Sequence, residues 1–215
     1  MKTSHLIEAL AQDSASDASL RWNLPRALKV ALIAGNIAAG AIFFIWIGFR
    51  PDIMAAAETT RFLLKFVITI PIATAATAAL LRVSRPGTDL GSSGWALAIS
   101  PAILIVAVIV ELNVLPERLW VMTLIGNNAS HCLTMIPLLA LGPLVCLLVA
   151  LREGAPTRPG LAGAIAGLAA SGIAATFYAT NCSDDSPLYV ATWYPLATGI
   201  VVLAGYLGGR AFLRW

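Results

Sequence analysis

A polar segment is followed by six long apolar stretches along this chain. Charged and small residues dominate the first 26 positions. Beyond them, apolar runs of about 20 residues recur, and each is long enough to cross ~30 Å of hydrocarbon as an α-helix. The predicted spans are residues 28–49, 62–81, 95–115, 132–151, 160–180 and 188–211. The pattern therefore predicts an all-α polytopic membrane protein in which residues 27–215 form a bundle of six transmembrane helices.

Composition excludes a soluble globular protein. Hydrophobic residues make up 59% of the 215 positions without the 17 glycines, and charged residues make up 12%. Soluble domains carry about 25% charged residues because most of their surface faces water. Lipid must therefore be the main solvent of this chain, and the bilayer is its first predicted partner.

The charged residues between the spans predict the orientation. The first apolar run begins near Leu28, too far from Met1 for a signal peptide, so residues 1–26 are expected to remain as an N-terminal segment. With that segment in the cytoplasm, Lys and Arg are concentrated on the inner side, as the positive-inside rule requires. Only Arg50, Arg61, Lys65 and Arg118 then lie on the outer side. We therefore expect a bacterial inner-membrane protein with both termini in the cytoplasm.

The N-terminal segment holds a candidate partner-binding face. Leu6, Ile7 and Leu10 fall on one side of a short helix. Residues 1–20 carry Lys2 against Glu8, Asp13 and Asp17, so an anionic bilayer should repel them. A helix of this length is not stable alone in water. The segment is therefore expected to bind a protein partner rather than the membrane surface.

Two of the three cysteines are predicted to meet at the outer face. Cys132 begins the fourth span and Cys182 follows the fifth, and the short loop 152–159 makes these spans an antiparallel hairpin. Cys146 lies ~21 Å further along the fourth span, beyond disulfide reach. The outer pair is consistent with a disulfide, with a soft-metal site that includes His131, or with unpaired packing. The chain has no CxxC or HxxxH motif, so no structural metal and no cofactor are expected.

Other residues predict packing inside the bundle. Lys65 and Glu111 lie at similar depth near the outer ends of the second and third spans, so we expect them to form an ion pair, with a proton path as the alternative. Gly163 and Gly167 on the fifth span, and the small residues of the last span, predict close helix packing. Trp95, Trp120, Trp193 and Tyr194 lie near span ends and are expected at the membrane interface.

Several motifs resemble the NrsF family along the whole chain. They are GNNASHCL at 126–133, LREGAPTRP at 151–159, YATNCSDDSP at 178–187, Trp193-Tyr194, GGRAFLRW at 208–215 and the opening Met1-Lys2-Thr3. Members of that family are six-span inner-membrane anti-sigma factors of extracytoplasmic-function sigma factors. The resemblance implies that Cys132 and Cys182 are the two family cysteines at the periplasmic face. Asn181 departs from the pattern, since a histidine is expected there.

These observations combine into one functional hypothesis. The chain is expected to sequester an extracytoplasmic-function sigma factor and to release it when a periplasmic stress changes the oxidation state or metal occupancy of Cys132 and Cys182. It is expected to be neither an enzyme nor a direct nucleic-acid binder. The alternatives are a membrane thiol–disulfide oxidoreductase, for which CxxC and a quinone site are missing, and a small transporter, for which matched half-repeats are missing.

Overall fold

The computed structural model describes residues 3–85, 91–154 and 156–213, including every side chain in these ranges except those of residues 4, 6, 8–23, 92 and 93. All regular structure in these ranges is helical. The helices are α1 (Thr3–Ile42), α2 (Ile53–Ala57), α3 (Thr60–Val83), α4 (Ser92–Val114), α5 (Glu117–Ile125), α6 (Ala129–Leu151), α7 (Pro159–Ala179) and α8 (Pro187–Phe212). A π-helical turn, Phe43–Ile47, extends α1.

The predicted six-span architecture is confirmed. Six helical segments are long and apolar enough to cross a membrane, and they match the six predicted spans in order. Their bounds are Leu24–Ile47, Thr60–Val83, Gly94–Val114, Glu117–Leu151, Pro159–Ala179 and Pro187–Phe212. The fourth segment starts earlier than predicted because the short helix α5 precedes α6. The chain is a multi-pass α-helical membrane protein.

The first helix is longer than the sequence indicated. A short helix around Leu6, Ile7 and Leu10 was predicted, but α1 runs without interruption from Thr3 to Ile42. The N-terminal residues therefore need no helix nucleus of their own, because they extend a helix that the bundle already stabilises. Pro25 lies in α1 next to the start of the span at Leu24. Residues 3–23 project about 30 Å beyond the span.

Helix α7 forms the centre of the bundle. It packs against α3, α6 and α8, and most of its residues are buried. Helix α4 packs against α3 and α8, while α1 packs mainly against α6. Cys132 and Cys182 lie at one end of the bundle, which we call the thiol end. The N-terminal extension of α1 and the end of α8 lie at the opposite end.

Small residues bring α7 and α8 into backbone contact, as the sequence predicted. A Cβ added at Gly163 would overlap the carbonyl oxygen of Gly205, and one added at Gly209 would overlap the carbonyl oxygen of Pro159. A Cβ at Gly167 would lie 2.6 Å from the carbonyl oxygen of Val201. Backbones can approach this closely only where side chains are absent.

Helix α1 rests on α6 through a second set of small residues. A Cβ at Gly35 would lie 2.7 Å from the Cα of Pro143, and a Cβ at Gly142 would lie 2.8 Å from the Cβ of Ala38. On its other side α1 borders an apolar groove of about 660 Å³ that α3 and α7 complete. Helix α6 is therefore the main support of α1 within the bundle.

Candidate functional site

The segment 182–186, between α7 and α8, organises the thiol end, and we call it the clamp loop. Ser186 caps α8 by accepting a hydrogen bond from the backbone N–H of Leu188 at 3.2 Å. The Asp184 Oδ2 atom accepts hydrogen bonds from the backbone N–H groups of Asn127 and Asn128 at 2.9 and 2.8 Å. These two residues immediately precede α6, so the carboxylate binds where the helix presents free N–H groups and positive potential. The clamp loop thereby fixes the start of α6.

Cys132 and Cys182 are brought together at this end, as the sequence predicted. Cys132 lies in the first turn of α6 and is fully buried, and Cys182 is 1% exposed. The two side chains are close enough to interact electrostatically, and both are free thiols. The Cys182 thiol also interacts with the side chain of Tyr178, and the Cys132 thiol with that of Tyr189. Two buried thiols thus share one pocket of tyrosine side chains.

Lys65 joins the clamp loop instead of Glu111. Its Nζ atom lies 2.5 Å from Oδ1 of Asp185 and donates a hydrogen bond to the carbonyl oxygen of Cys182 at 2.8 Å. The predicted Lys65–Glu111 ion pair is therefore wrong. The clamp loop supplies a carboxylate, Asp185, that pairs with Lys65 on α3 instead. Lys65 is fully buried, and a buried ammonium group requires such partners.

Glu111 has a separate set of partners on the clamp loop. Its Oε2 atom accepts hydrogen bonds from the Ser186 hydroxyl at 2.7 Å and from the backbone N–H of Leu188 at 3.0 Å. Its Oε1 atom forms an ion pair with Arg61 of α3 at 3.2 Å. Glu111 therefore attaches α4 to the start of α8 and serves a structural role there.

Arg50 ties the segment after the π-helical turn to the clamp loop. Its guanidinium bonds to Asp52 through two contacts of 2.7 Å and to Asp185 at 2.8 Å, and it donates to the carbonyl oxygen of Cys182 at 3.3 Å. The hydrogen bonds from Arg50 hold the pKa of the Asp52 carboxyl below its usual range. The same bonds raise the pKa of Arg50, so the guanidinium stays charged.

Burial controls the chemistry of the Cys182 thiol. Loss of water raises its pKa above the ordinary value, and the Lys65 ammonium is the strongest influence in the opposite direction. The thiol is therefore mostly protonated at neutral pH, while a cation nearby can stabilise the thiolate when it forms.

Within the described ranges, no group of three or more His, Cys, Asp and Glu side chains could hold a metal ion. His131 is exposed rather than turned toward Cys132, so the soft-metal site with an imidazole ligand is not formed. Asn181 donates a hydrogen bond to the carbonyl oxygen of Gly48 at 3.1 Å, which is a structural contact. Cys146 packs beside the core, remote from the pair in sequence.

Some residues of this site were missed by sequence reasoning. Tyr194 was expected at the membrane interface, but it is buried, and its ring lies 6.2 Å from that of Tyr178. Arg50 was used only to count charges, although it contacts three parts of the site. Asp184 and Asp185 entered the sequence analysis only as part of the motif at 178–187. The sequence did contain a signal for this site. Asp184 and Asp185 follow Cys182, and Arg50 and Lys65 were predicted on the same side of the membrane.

A polar cleft of about 550 Å³ opens beside the clamp loop. Its lining includes Arg61 from α3, Met122 from α5, and Ser183, Asp184 and Asp185. The cleft reaches the residues that follow Cys182 and also Gly126 and Asn127, which precede α6, and neither cysteine lines it. Ser183, the direct neighbour of Cys182, lines the cleft, whereas Asn127, the lining residue nearest to Cys132 in the sequence, precedes it by five positions.

The candidate partner-binding residues lie in the N-terminal extension of α1. Leu6, Ile7 and Leu10 are all helical, and their spacing puts them on one face. Ile7 is 62% exposed. The side chains of Leu6 and Leu10 lie outside the described residues.

The fold and the site together define a class of protein. It is a six-span helical membrane protein with a buried thiol pair at one end and a long helical extension at the other. The chain belongs to the NrsF family, described as negative regulator of sigma F, whose model matches residues 10–215.

Two relatives match the chain over its whole length. The anti-sigma-F factor NrsF of Caulobacter vibrioides (strain NA1000 / CB15N) is 35% identical, and the alignment covers 100% of both chains. The probable anti-sigma-F factor NrsF of Azospira oryzae (strain ATCC BAA-33 / DSM 13638 / PS) is 30% identical, again over 100% of both chains. No solved structure matches the chain.

Proposed function

We propose that this protein is an inner-membrane anti-sigma factor that holds an extracytoplasmic-function sigma factor at the membrane and releases it when the Cys132–Cys182 pair is oxidised by a periplasmic stress. The family match over residues 10–215 carries the anti-sigma part of the proposal. The buried thiol pair in the clamp-loop cluster supports the sensing part.

The N-terminal extension is the proposed sigma contact. Residues 3–23 continue α1 beyond the membrane span, so the helix is stable before a partner arrives and loses little entropy on binding. Leu6, Ile7 and Leu10 offer it an apolar face, which a groove on a sigma factor can accept. Residues 1–26 thus form a cytoplasmic segment distinct in role from the six-helix domain.

The distribution of charge supports the proposed orientation in the membrane. Exposed basic residues at the opposite end include Arg26, Lys29, Arg152, Arg158 and Arg210. The thiol end carries the exposed Arg61 and Arg118 beside the buried Arg50 and Lys65. The positive-inside rule puts the opposite end in the cytoplasm and the thiol end in the periplasm. Green fluorescent protein fused after Trp215 should fluoresce, and alkaline phosphatase inserted after Asn127 should be active. The reverse pattern would contradict this orientation.

Oxidation changes the packing of the thiol end. The two thiols lose two protons and two electrons to an oxidant and form a disulfide between α6 and the clamp loop. A disulfide fixes the distance and the dihedral angle between the two sulfur atoms, whereas two separate thiols can adjust both. Because α1 rests on α6 through Gly35 and Pro143, a shift of α6 is transmitted to α1 and to its N-terminal extension.

Co-purification tests the anti-sigma function. The tagged full-length protein is extracted from its host in mild detergent, and bound proteins are identified by mass spectrometry. We expect a sigma factor on the wild-type protein and at least tenfold less on a variant with Leu6→Asp and Leu10→Asp. A matched control, Ser14→Asp with Ser16→Asp, adds the same charge elsewhere in the extension and should keep the sigma factor. Absence of any sigma factor from the folded wild-type protein would refute the proposal.

A further inference from the structure

A fully buried lysine faces the thiol pair. Lys65 is 0% exposed, and its Nζ atom lies 2.8 Å from the carbonyl oxygen of Cys182 and 2.5 Å from Oδ1 of Asp185. Removing two charges from water costs several kcal/mol each, and apolar side chains of similar volume often stabilise a fold as well or better. Stability alone therefore gives no reason to keep a charged group at this position.

Access to the two thiols is unequal. The polar cleft of about 550 Å³ is lined by Ser183, Asp184 and Asp185, the residues that directly follow Cys182. Cys132 lies within the first turn of α6, and no part of it is exposed. Cys182 is joined directly to Ser183 in the wall of the cleft, whereas five positions separate Cys132 from Asn127, the lining residue nearest to it in the sequence.

We propose that Cys182 is the thiol that reacts first with an oxidant arriving through the cleft, that Lys65 is the positioning residue that stabilises its thiolate, and that Cys132 is the resolving thiol. The inference rests on the proposed sensing function. The thiol pair alone does not distinguish the two cysteines. The proposal states which of them reacts first and which cation stabilises its thiolate.

Charged and titratable groups face Cys182 from every element packed around it. They are Lys65 from α3, Arg50 from the segment after the π-helical turn, Asp184 and Asp185 from its own loop, Tyr178 from α7, Tyr189 and Tyr194 from α8, and Cys132 from α6. Arg50 contacts two carboxylates and Lys65 contacts one, and Lys65 lies closer to the Cys182 carbonyl oxygen, at 2.8 Å against 3.3 Å for Arg50. The Lys65 ammonium is thus the cation best placed to favour a Cys182 thiolate.

The oxidation proceeds in two balanced steps with a hydroperoxide as the oxidant. The Cys182 thiolate attacks the terminal oxygen of ROOH, so that an S–O bond forms, the O–O bond breaks, and the alkoxide takes up the proton released by the thiol to leave as ROH. The Cys132 thiolate then attacks the Cys182 sulfur. The S–S bond forms, the S–O bond breaks, and the hydroxide leaves as water with the Cys132 proton. Two thiols are oxidised, and one peroxide is reduced.

Thiol modification of the purified full-length protein tests the role of Lys65. The probe is methyl methanethiosulfonate, and the rate at Cys182 is measured by intact mass from pH 6 to 9.5 with Cys132→Ser and Cys146→Ser present. We expect Lys65→Met to slow the reaction at pH 7 about tenfold and to move the profile to higher pH. Lys65→Arg should restore the rate, and Lys29→Met, at an exposed lysine, should not change it. An unchanged profile in Lys65→Met would overturn the role of Lys65.

A second measurement needs no change at Lys65 and holds even if Lys65→Met fails to fold. Hydrogen peroxide is added with dimedone, which traps sulfenic acids. We expect the trapped adduct on Cys182 in the Cys132→Ser protein and at least tenfold less on Cys132 in the Cys182→Ser protein. The opposite distribution would overturn the order of reaction. Neither thiol assay contains a sigma factor. A negative result in them would overturn the proposed thiol chemistry but not the anti-sigma function, which the co-purification tests separately.

Discussion

Gly35 on α1 lies directly against Pro143 on α6, where an added Cβ would sit 2.7 Å from the Cα of Pro143. The contact joins the helix that carries Cys132 to the helix that carries the N-terminal extension. Backbone lies on both sides of the contact, and backbone cannot rotate away as a flexible side chain can. A change in the position of α6 must therefore be followed by α1 or must break their packing.

Substitution of Gly35 tests this contact. We expect Gly35→Ala to destabilise the protein by about 1–3 kcal/mol through overpacking and to reduce the effect of oxidation on sigma-factor affinity at least threefold. Gly40→Ala is the matched control on the same helix, because its added Cβ would lie 3.6 Å from the Phe177 ring, an ordinary contact. Thermal unfolding in detergent and sigma binding in the reduced and oxidised states measure both effects. Equal behaviour of the two variants would argue against transmission through this contact.

The contact between α7 and α8 makes a stability prediction. A methyl group at Gly163 would overlap the carbonyl oxygen of Gly205, so the two helices must separate. We expect Gly163→Ala to lower the free energy of unfolding by about 3 kcal/mol, at the upper end of overpacking effects. Gly199→Ala on α8 has no atom within 4 Å of the added Cβ and should be neutral or slightly stabilising. Similar melting temperatures for the two variants would show that the helices do not pack this closely.

Asp52 predicts a specific acid sensitivity. Its carboxyl pKa is held below the usual value near 3.8 by the hydrogen bonds from Arg50. A carboxyl with a lowered pKa in the folded state contributes stability above its unfolded pKa, and that contribution is lost as the pH falls through the folded value. The difference in melting temperature between wild type and Asp52→Asn should thus be constant from pH 7 to 5 and shrink below about pH 4. The difference should be small because the side chain is 58% exposed. A difference that persists unchanged to pH 3 would contradict the linkage.

Hydropathy was sufficient to predict the spans because the lipid core imposes a length and a composition on each helix. The small-residue stripe that contains Gly163 was also readable, since close packing leaves a periodic pattern in one helix. The unbroken course of α1 was not readable, because residues 11–23 lack hydrophobic periodicity and are helical as a continuation of the first span. Helix α5 was missed for a similar reason, since nine residues of mixed character have no distinctive period.

The candidate site could be predicted only in part. The hairpin of α6 and α7 brings Cys132 near Cys182, and this follows from loop length and span order alone. The partner of Lys65 does not follow, because two carboxylates, Glu111 and Asp185, lie at comparable depth. The choice between them depends on how α3 is rotated and where the clamp loop runs, and both are set by packing of the whole bundle.

Release of the sigma factor on oxidation is the most direct test of the account. The purified complex in lipid nanodiscs is treated with hydrogen peroxide, and the dissociation constant is measured before and after treatment. The account predicts at least a hundredfold loss of affinity, about 2.7 kcal/mol, for the wild type and for Cys146→Ser. It predicts little change for Cys132→Ser and Cys182→Ser, which cannot form the disulfide. If the oxidised wild type keeps its affinity, or if Cys132→Ser releases the sigma factor equally well, the link between the thiol pair and the N-terminal extension is wrong.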